Sequence, residues 1–276
     1  PDFVQPHLTI LTARWNEFPS LRPIPELWDW SDLAPENWLH DDVIQLNDVK
    51  GVIHNHSTYS DGSHTLEQMA QACQQKGYEY LVISDHSKSA FYANGLDEDR
   101  VLKQWEEIDR LNSTFTDFKI FKSIESDILY DGSLDYDDEF LQGFDLVIAS
   151  VHSQFRMDEE KATDRLVKAV EHPATRILGH MTSRLLLGRA GYPVDHAKVI
   201  EACAKNNVVI ELNASPYRLD MDWSWIPMAV AQGVLISINP DAHHIDGIDD
   251  IRYGVYSARK GGLLPSQCLC CKSLSE

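Results

Sequence analysis

From residue 51 onward, short apolar runs alternate with longer amphipathic stretches, and this alternation limits the folds open to the chain. Seven runs of four to six residues are rich in Val and Ile, as strands buried on both faces are. They cover residues 51–54, 80–84, 119–124, 145–150, 176–179, 208–212 and 234–238. Helix-like segments follow at 65–77, 97–115, 159–171, 193–206, 222–233 and 249–261. Strands that alternate with helices predict a parallel α/β arrangement, and closure into a barrel would put a site at the carboxyl ends of the strands.

The first 50 residues lack this pattern. They combine several prolines with four tryptophans and little periodicity, so we expect an irregular leader or a linker from an upstream domain. A barrel domain is expected over residues 51–264 and a tail over residues 265–276. The first residues lack the basic and apolar regions of a signal peptide, so none is expected there. The chain also begins without Met, which favours a piece of a longer protein.

Composition narrows the possible partners. With 24 Lys+Arg against 43 Asp+Glu the formal net charge is −19, which disfavours a protein that wraps nucleic acid by bulk electrostatics. A local phosphate site neutralised by divalent metals remains compatible with this charge. No window approaches the roughly 20 apolar residues of a membrane span, so no membrane partner is expected. The five cysteines, an odd count without paired spacing, are typical of the reducing cytoplasm.

Ionisable side chains follow six of the seven predicted strands, although a single His at a strand end is usually structural. The nine candidate metal ligands, which we also expect to be the catalytic residues, are His54, His56, Asp61, His86, Glu125, His152, His180, Asp241 and His243. His54 and His56 are two residues apart, as are Asp241 and His243, so each pair would share one face of an extended segment. Imidazole and carboxylate without thiolate suit Zn²⁺, Mn²⁺ or Fe²⁺, and nine ligands suit two or three ions. Such a cluster serves phosphoester hydrolysis, because one ion activates water while the others stabilise charge on phosphate oxygens.

Each of several other residues near the strand ends has both a functional and a structural interpretation. Lys88, Arg184, Arg189 and, less favoured, Arg218 are candidates to bind substrate phosphates, or they are solvated or internally paired cations. The aromatic side chains Tyr59, Phe91, Tyr92 and Tyr217 either stack on unpaired bases or pack against the rim. Asn213 orients a ligand or caps a loop, and Asp85 either contacts a ligand His or caps the next segment.

The residues at the strand ends form a series of motifs in a fixed order. These are His54-x-His56 with Ser60-Asp61-Gly62, then Asp85-His86, Glu125, Ser150-Val151-His152-Ser153, Gly179-His180 and Asp241-Ala242-His243. The series resembles the PHP (polymerase and histidinol phosphatase) superfamily over about residues 51–262. Two departures leave every ligand in place: Met181 stands where the family usually has Pro, and Pro240 precedes Asp241.

The segments between these motifs resemble one branch of the superfamily. They include Ala93-Asn94-Gly95-Leu96, Gly191-Tyr192-Pro193-Val194-Asp195, Glu211-Leu212-Asn213-Ala214-Ser215-Pro216-Tyr217-Arg218 and Arg252-Tyr253-Gly254. They are similar to the C-terminal PHP domain of bacterial family X DNA polymerases, and the leader is similar to the linker that precedes that domain. The resemblance therefore implies an upstream polymerase domain that is missing from this chain.

The resemblance implies a distorted seven-stranded (β/α)7 TIM-like barrel with three divalent metals. It assigns the first ion to His54, His56, Glu125 and Asp241, and the second to Glu125 as a bridge with His152 and His180. The third ion falls to Asp61, His86 and His243. It also implies Mn²⁺-dependent 3′→5′ exonuclease activity and the processing of DNA 3′ ends in repair.

Three other functions compete with this reading. A small-molecule phosphatase of the histidinol-phosphatase type is favoured by the net charge of −19, because so acidic a domain would bind DNA weakly by itself. A non-catalytic scaffold PHP domain is disfavoured by the nine intact ligand positions. Amide hydrolysis by a related barrel is disfavoured because the expected bridging position holds Glu125 rather than Lys.

Overall fold

The structure is a computed structural model that describes residues 42–276. Most of the predicted leader therefore lies outside the described residues. No helix within residues 42–276 is long and apolar enough to cross a membrane.

Seven parallel strands pair in chain order, which confirms the predicted α/β barrel. They are β1 (Gly51–Asn55), β2 (Tyr80–Ile83), β3 (Lys119–Asp127), β4 (Leu146–Ser150), β5 (Thr175–Leu178), β6 (Val209–Asn213) and β7 (Ile236–Asn239). At the carboxyl end the barrel closes directly, because Asn55 forms a parallel bridge with Ala242 just beyond β7. Ala242 O also accepts a hydrogen bond from His56 N at 2.9 Å, so the last connection lies against the first.

At the opposite end the barrel closes through the C-terminal residues. Cys268 forms a parallel bridge with Ile236 of β7, and Lys50 N, one residue before β1, donates to Cys270 O at 2.7 Å. Both cysteines are fully buried, and the Cys270 thiol accepts from Ile238 N at 3.0 Å. The segment at 268–271 therefore fills the gap between β1 and β7, which is the distortion of this barrel.

Helices cover the outside of the sheet where amphipathic segments were predicted. They are α1 (Leu66–Gln75), α2 (Glu98–Asn112), α4 (Glu159–Val170), α5 (His196–Asn206), α6 (Ile226–Ala231) and α7 (Ile251–Lys260), with an additional short α3 (Asp138–Leu141) that was not predicted. Several begin with a polar cap: Thr65 accepts from Gln68 N, and Asp97 accepts from Arg100 N. Each longer helix turns one apolar stripe towards strands that are buried on both faces.

Candidate metal centre

The nine predicted ligands converge at the carboxyl end of the barrel. The donor atoms of three overlapping groups lie within 4.8 Å of one another: His54, His56 and Asp241; His86, Glu125 and His152; and His56, Asp61, His86 and His243. The ninth residue, His180, brings its Nε2 to 2.9 Å from Glu125 Oε1. The structure therefore brings all nine side chains together, and it places His56 and His86 between neighbouring groups.

Glu125 lies at the middle of this cluster. Its Oε1 is 3.1 Å from His54 Nε2, 3.1 Å from His152 Nε2 and 2.9 Å from His180 Nε2. Its Oε2 is 3.0 Å from His86 Nδ1. Burial by itself would raise the pKa of this carboxyl group, but the surrounding imidazoles hold the pKa well below its usual range. The carboxylate is therefore in position to bridge ions on either side.

Several nitrogen and oxygen atoms of the cluster form no aligned hydrogen bond within residues 42–276, although some of them lie 3.0–3.1 Å from a polar neighbour. These buried atoms include His54 Nε2, His56 Nδ1, His86 Nδ1 and Glu125 Oε2. An unsatisfied buried polar atom costs roughly 1–3 kcal/mol, so four of them in one place need an explanation. Divalent cations bound between these nitrogens and oxygens would satisfy them, and the donor set of imidazoles and carboxylates fits Zn²⁺, Mn²⁺ or Fe²⁺.

Two further carboxylates orient ligand imidazoles from behind, and the sequence reasoning assigned them no role. Asp127 Oδ1 is 2.5 Å from His152 Nδ1, and Glu211 Oε2 is 2.6 Å from His54 Nδ1. Each contact turns the other ring nitrogen towards the cluster and sets the tautomer. A signal for Asp127 was present, since it stands two residues after Glu125 on β3 and therefore shares its face of the strand.

Glu211 also connects the last strands of the barrel. Besides His54 it accepts hydrogen bonds from His180 N at 3.0 Å, Asn213 Nδ2 at 3.0 Å and Asn239 Nδ2 at 2.7 Å. Asn213 Nδ2 lies 3.1 Å from Asp241 Oδ2, and Asn213 Oδ1 accepts from Ser215 N. Asn213 thus performs both of its predicted roles, because it orients a candidate ligand and caps a loop.

Asp85 supports the loop after β1 and, within residues 42–276, forms no hydrogen bond to a candidate ligand His. It accepts from Ser57 N, Ser57 Oγ and Ser60 Oγ, and from Gln104 Nε2 at 2.6 Å. Neither predicted role describes this side chain, because its bonds go to the loop after β1 and to Gln104 rather than to a candidate ligand His or to the segment after Asp85. These bonds fix the backbone between His56 and Asp61 and so set the separation of the two candidate ligands.

The expected extended geometry of the two ligand pairs is wrong. His54 has φ +64° and Asp241 has φ +53°, in the left-handed region that non-glycine residues seldom adopt. The register of β1 against β2 shifts between Val52 and Asn55, where the strand departs from regular pairing. Strain of this kind costs of order 1–3 kcal/mol per residue and is concentrated at functional sites. The pairs still converge, with the His54 and His56 ring centroids 5.3 Å apart.

Burial and the neighbours within the cluster shift the pKa values of its histidines in opposite directions. Burial would lower the pKa of His152, but Glu125 and Asp127 raise it to about 10. Burial would also lower the pKa of His243, but Asp61 and Asp241 raise it to about 9. In His86 burial prevails and lowers the pKa to about 3, while Glu125 opposes it. Such divergent pKa values within one cluster are typical of catalytic or metal-binding sites.

Comparison with known proteins agrees with this geometry. The family model for the PHP domain matches residues 53–215, which is more than half of the chain. The chain belongs to the PHP domain family. It is accordingly a metal-dependent phosphoesterase, as the sequence resemblance implied.

Relatives of this PHP domain carry two kinds of name. The DNA polymerase/3′-5′ exonuclease PolX of Bacillus subtilis is 45% identical over 235 residues, which are 85% of this chain and 41% of that protein. A probable phosphatase of Acetivibrio thermocellus is 28% identical over 58% of this chain and 63% of its own length. Among solved structures, the histidinol phosphate phosphatase of Lactococcus lactis, complexed with zinc, L-histidinol and phosphate, has a TM-score of 0.53. That likeness covers 78% of this chain and 94% of the other at 16% identity, so it shows the fold alone.

The cations at the mouth of the PHP domain differ in how they are paired. Lys88 Nζ lies 2.6 Å from Glu98 Oε1, and Arg184 Nη1 lies 3.1 Å from Asp222 Oδ2, so both have internal carboxylate partners. Arg189 instead donates to the Ser183 carbonyl. Arg218, which the sequence reasoning ranked low, brings Nε to 3.6 Å from Asp241 Oδ2, and its buried Nη1 has no hydrogen-bond partner within residues 42–276.

The aromatic side chains of the mouth also differ from one another. Phe91, Tyr92 and Tyr217 are 87%, 70% and 73% exposed, so the predicted alternative of rim packing does not describe them. Tyr92 reaches towards the cluster, with its ring centroid 6.3 Å from that of His86. Tyr59 does pack, since its hydroxyl donates to Glu107 at 2.8 Å.

Proposed function

We propose that this PHP domain shortens DNA strands from the 3′ end, as the nuclease part of a family X DNA polymerase. The observation that carries the proposal is the nine-ligand cluster with the Arg218 guanidinium beside it, in a chain that is 45% identical to PolX. The chain spans 41% of the PolX length, so the accompanying polymerase domain is part of the proposal.

In this proposal, three divalent ions would bind in the sets that the family resemblance implies: the first between His54, His56, Glu125 and Asp241, the second between Glu125, His152 and His180, and the third between Asp61, His86 and His243. When bound, the ions supply the positive charge that phosphate oxygens need and lower the pKa of a water. Mn²⁺ is our first candidate, with Zn²⁺ and Fe²⁺ compatible with the same donors. Glu125 holds the sets together, and Asp127 and Glu211 keep the imidazoles in the coordinating tautomer.

Arg218 has the geometry to bind the phosphate that is cleaved. Its side chain is 18% exposed, and the unpartnered Nη1 is available to donate to a non-bridging oxygen. A guanidinium held in this way favours the extra negative charge that develops on those oxygens as water attacks phosphorus. Lys88 and Arg184, which were predicted for this task, would first have to leave their carboxylate partners.

A small-molecule phosphatase is the second candidate. The net charge of −19 and the relatives named probable phosphatases favour it, because a phosphomonoester needs no extended cationic surface. The DNA nuclease function is favoured by three exposed aromatic side chains, Phe91, Tyr92 and Tyr217. Exposed aromatic rings around a phosphate site suit the unstacked bases of a strand end. A scaffold without catalysis is disfavoured by the convergence of all nine candidate ligands.

The deciding experiment measures hydrolysis of two substrates by the protein, reconstituted first with Mn²⁺ and then with Zn²⁺. One substrate is a 5′-labelled single-stranded oligonucleotide and the other is 4-nitrophenyl phosphate. We expect stepwise shortening of the oligonucleotide from its 3′ end, lost with a chelator and in His54→Ala. Release of phosphate from the monoester alone would establish the second candidate instead, and bound metal without either activity would favour the scaffold.

A further inference from the structure

Beside the candidate metal centre lies a cavity of ≈ 800 Å³ between two loops of the mouth. One loop follows β4 and contributes Phe155 and Arg156, and the other follows β5 and contributes Arg189 and Tyr192. Tyr130 completes the part of the lining that matters here. The volume falls within the range of small-molecule binding sites, roughly 300–1,000 Å³. No residue of the metal cluster lines this cavity, so it is a separate feature.

The charge of this cavity is opposite to that of the protein. No carboxylate is among its described lining residues, although the chain carries a net charge of −19. Neither Arg156 nor Arg189 forms an ion pair within residues 42–276, whereas Lys88 and Arg184 are both paired with carboxylates. Two arginines without carboxylate partners form a local site for an anion, and guanidinium suits phosphate in particular.

The lining also contains a flat surface. The Arg189 guanidinium lies over the Phe155 ring, 4.2 Å from its centroid. It is held there by two hydrogen bonds to Ser183 O, from Nε at 3.2 Å and from Nη2 at 2.8 Å. A guanidinium fixed against an aromatic ring offers planar surface on which nucleobases stack, in addition to its charge.

The cavity is continuous with the metal centre along the chain. The β4 loop that lines it begins at Gln154, two residues after His152, and two residues span at most about 7 Å. The β5 loop reaches it at Ser183, whose amide donates to His180 O at 2.8 Å.

We propose that this cavity binds a nucleotide flanking the bond that the metal centre cleaves, with the base against the Arg189–Phe155 layer and a phosphate on Arg156. The inference rests on the proposed nuclease function and deepens it, because it makes a single-stranded nucleic acid end, rather than an isolated phosphate ester, the preferred substrate. Arg218, Arg189 and Arg156 would then contact successive phosphates and bases outwards from the metal centre.

The test couples removal of a base with removal of a side chain. Hexathymidylate is compared with two analogues that lack the base at the terminal or the penultimate 3′ nucleotide, using Mn²⁺-loaded protein. For the wild type we expect one of the two analogues to have a KM about tenfold higher than that of hexathymidylate. This fold-change corresponds to the loss of one base-stacking contact. In Arg189→Gln that loss should shrink to less than threefold, because the layer that the base contacts is gone. A residue with a merely structural role would not change the dependence of KM on the base.

Two further variants complete the test. Arg156→Ala, which removes a side chain without an ion pair, should raise KM for every oligonucleotide and leave the base dependence intact. Arg176→Ala makes the same charge change at the opposite end of the barrel, at the start of β5, and should match the wild type. Thermal unfolding of each variant checks that it is folded.

The outcomes separate this inference from the proposed function. If the wild type shortens hexathymidylate but Arg189→Gln and Arg156→Ala retain its KM values and base dependence, the cavity assignment is wrong while the nuclease function stands. If the wild type hydrolyses 4-nitrophenyl phosphate and leaves hexathymidylate intact, the nuclease function is wrong and the cavity assignment falls with it.

Discussion

The two ends of the barrel are built from the same seven strands and have opposite character. The amino-terminal end is apolar and sealed, with Cys268 and Cys270 fully buried between β1 and β7. The carboxyl-terminal end carries nine candidate ligands, strained backbone at His54 and Asp241, and exposed aromatic rings. The difference shows that the two ends of a parallel barrel have separate roles. One end stabilises the fold, and the other buries polar atoms that lower stability when no ligand binds them.

This contrast predicts that damage at the mouth lowers activity more than stability. Glu125→Ala removes the carboxylate that four imidazoles face, so we expect phosphoesterase activity to fall more than about 10³-fold, beyond the 10²–10³-fold cost of losing one stabilising donor. The variant should remain folded by circular dichroism and bind less metal per chain by elemental analysis. An active Glu125→Ala protein would refute the cluster assignment.

Within the mouth, a cation with an unsatisfied buried nitrogen and a cation with a close carboxylate partner should differ sharply. Arg218→Ala should lower kcat/KM about 10²–10³-fold, because its unpartnered nitrogen is lost from beside the phosphate site. Lys88→Ala should change kcat/KM less than about twofold, since it removes a half-exposed side chain already paired with Glu98. Steady-state kinetics on one oligonucleotide measure both, and equal effects would mean that pairing in the structure does not decide which cation binds substrate.

A substitution at the sealed end should lower stability and leave activity and metal affinity unchanged. Ile236→Ala leaves a cavity beside Cys268, where Ile236 is fully buried, and should reduce the free energy of unfolding by about 2–5 kcal/mol. Metal affinity and kcat of the folded fraction should stay as in the wild type. Urea unfolding followed by circular dichroism gives the first quantity and metal titration the second; a change in metal affinity alone would contradict the division between the two ends.

The carboxylates behind the ligands should give intermediate effects. Asp127→Asn retains shape but changes the partner of His152 Nδ1, so metal affinity should weaken about 10–100-fold. Competition with a chromogenic chelator measures it. The control is Asp131→Asn, an exposed carboxylate that pairs with Lys168 away from the cluster. A normal affinity in Asp127→Asn would mean that the contact holds the loop rather than the metal.

Proton release should report the pKa values of the mouth. The pKa values of His54, His152 and His243 are raised, the last two to about 10 and about 9, so all three carry protons at pH 7 in the metal-free protein. Metal binding at pH 7 should release roughly three protons, and affinity should rise as pH increases towards 9. In the metal-free protein these raised values stabilise the fold below about pH 6.5, an effect lost as pH rises through 9–10. Calorimetry in buffers of different ionisation enthalpy tests this, and a heat independent of the buffer would contradict it.

The sequence by itself determined the seven strands and the candidate ligands. Strand and helix periodicity separates the seven β/α units, and parallel strands bring their carboxyl ends to one edge whatever the details of packing. His180 and Glu125 could therefore be placed in one cluster although they are 55 residues apart in sequence. The resemblance to the PHP family then supplied a grouping of the ligands that spacing alone could not.

Only the tertiary structure decided which polar groups are free to act. Within residues 42–276, Arg218 keeps a buried Nη1 without a hydrogen-bond partner, whereas Lys88 has Glu98 at 2.6 Å. Both facts depend on how the loops pack, and periodicity carries no information about either. The same holds for Glu211 behind His54, 157 residues away, and for the left-handed backbone at His54 and Asp241, where local propensity gives way to the geometry of the cluster. Pairing and strain are properties of packed neighbours, so they appear only once the barrel has closed.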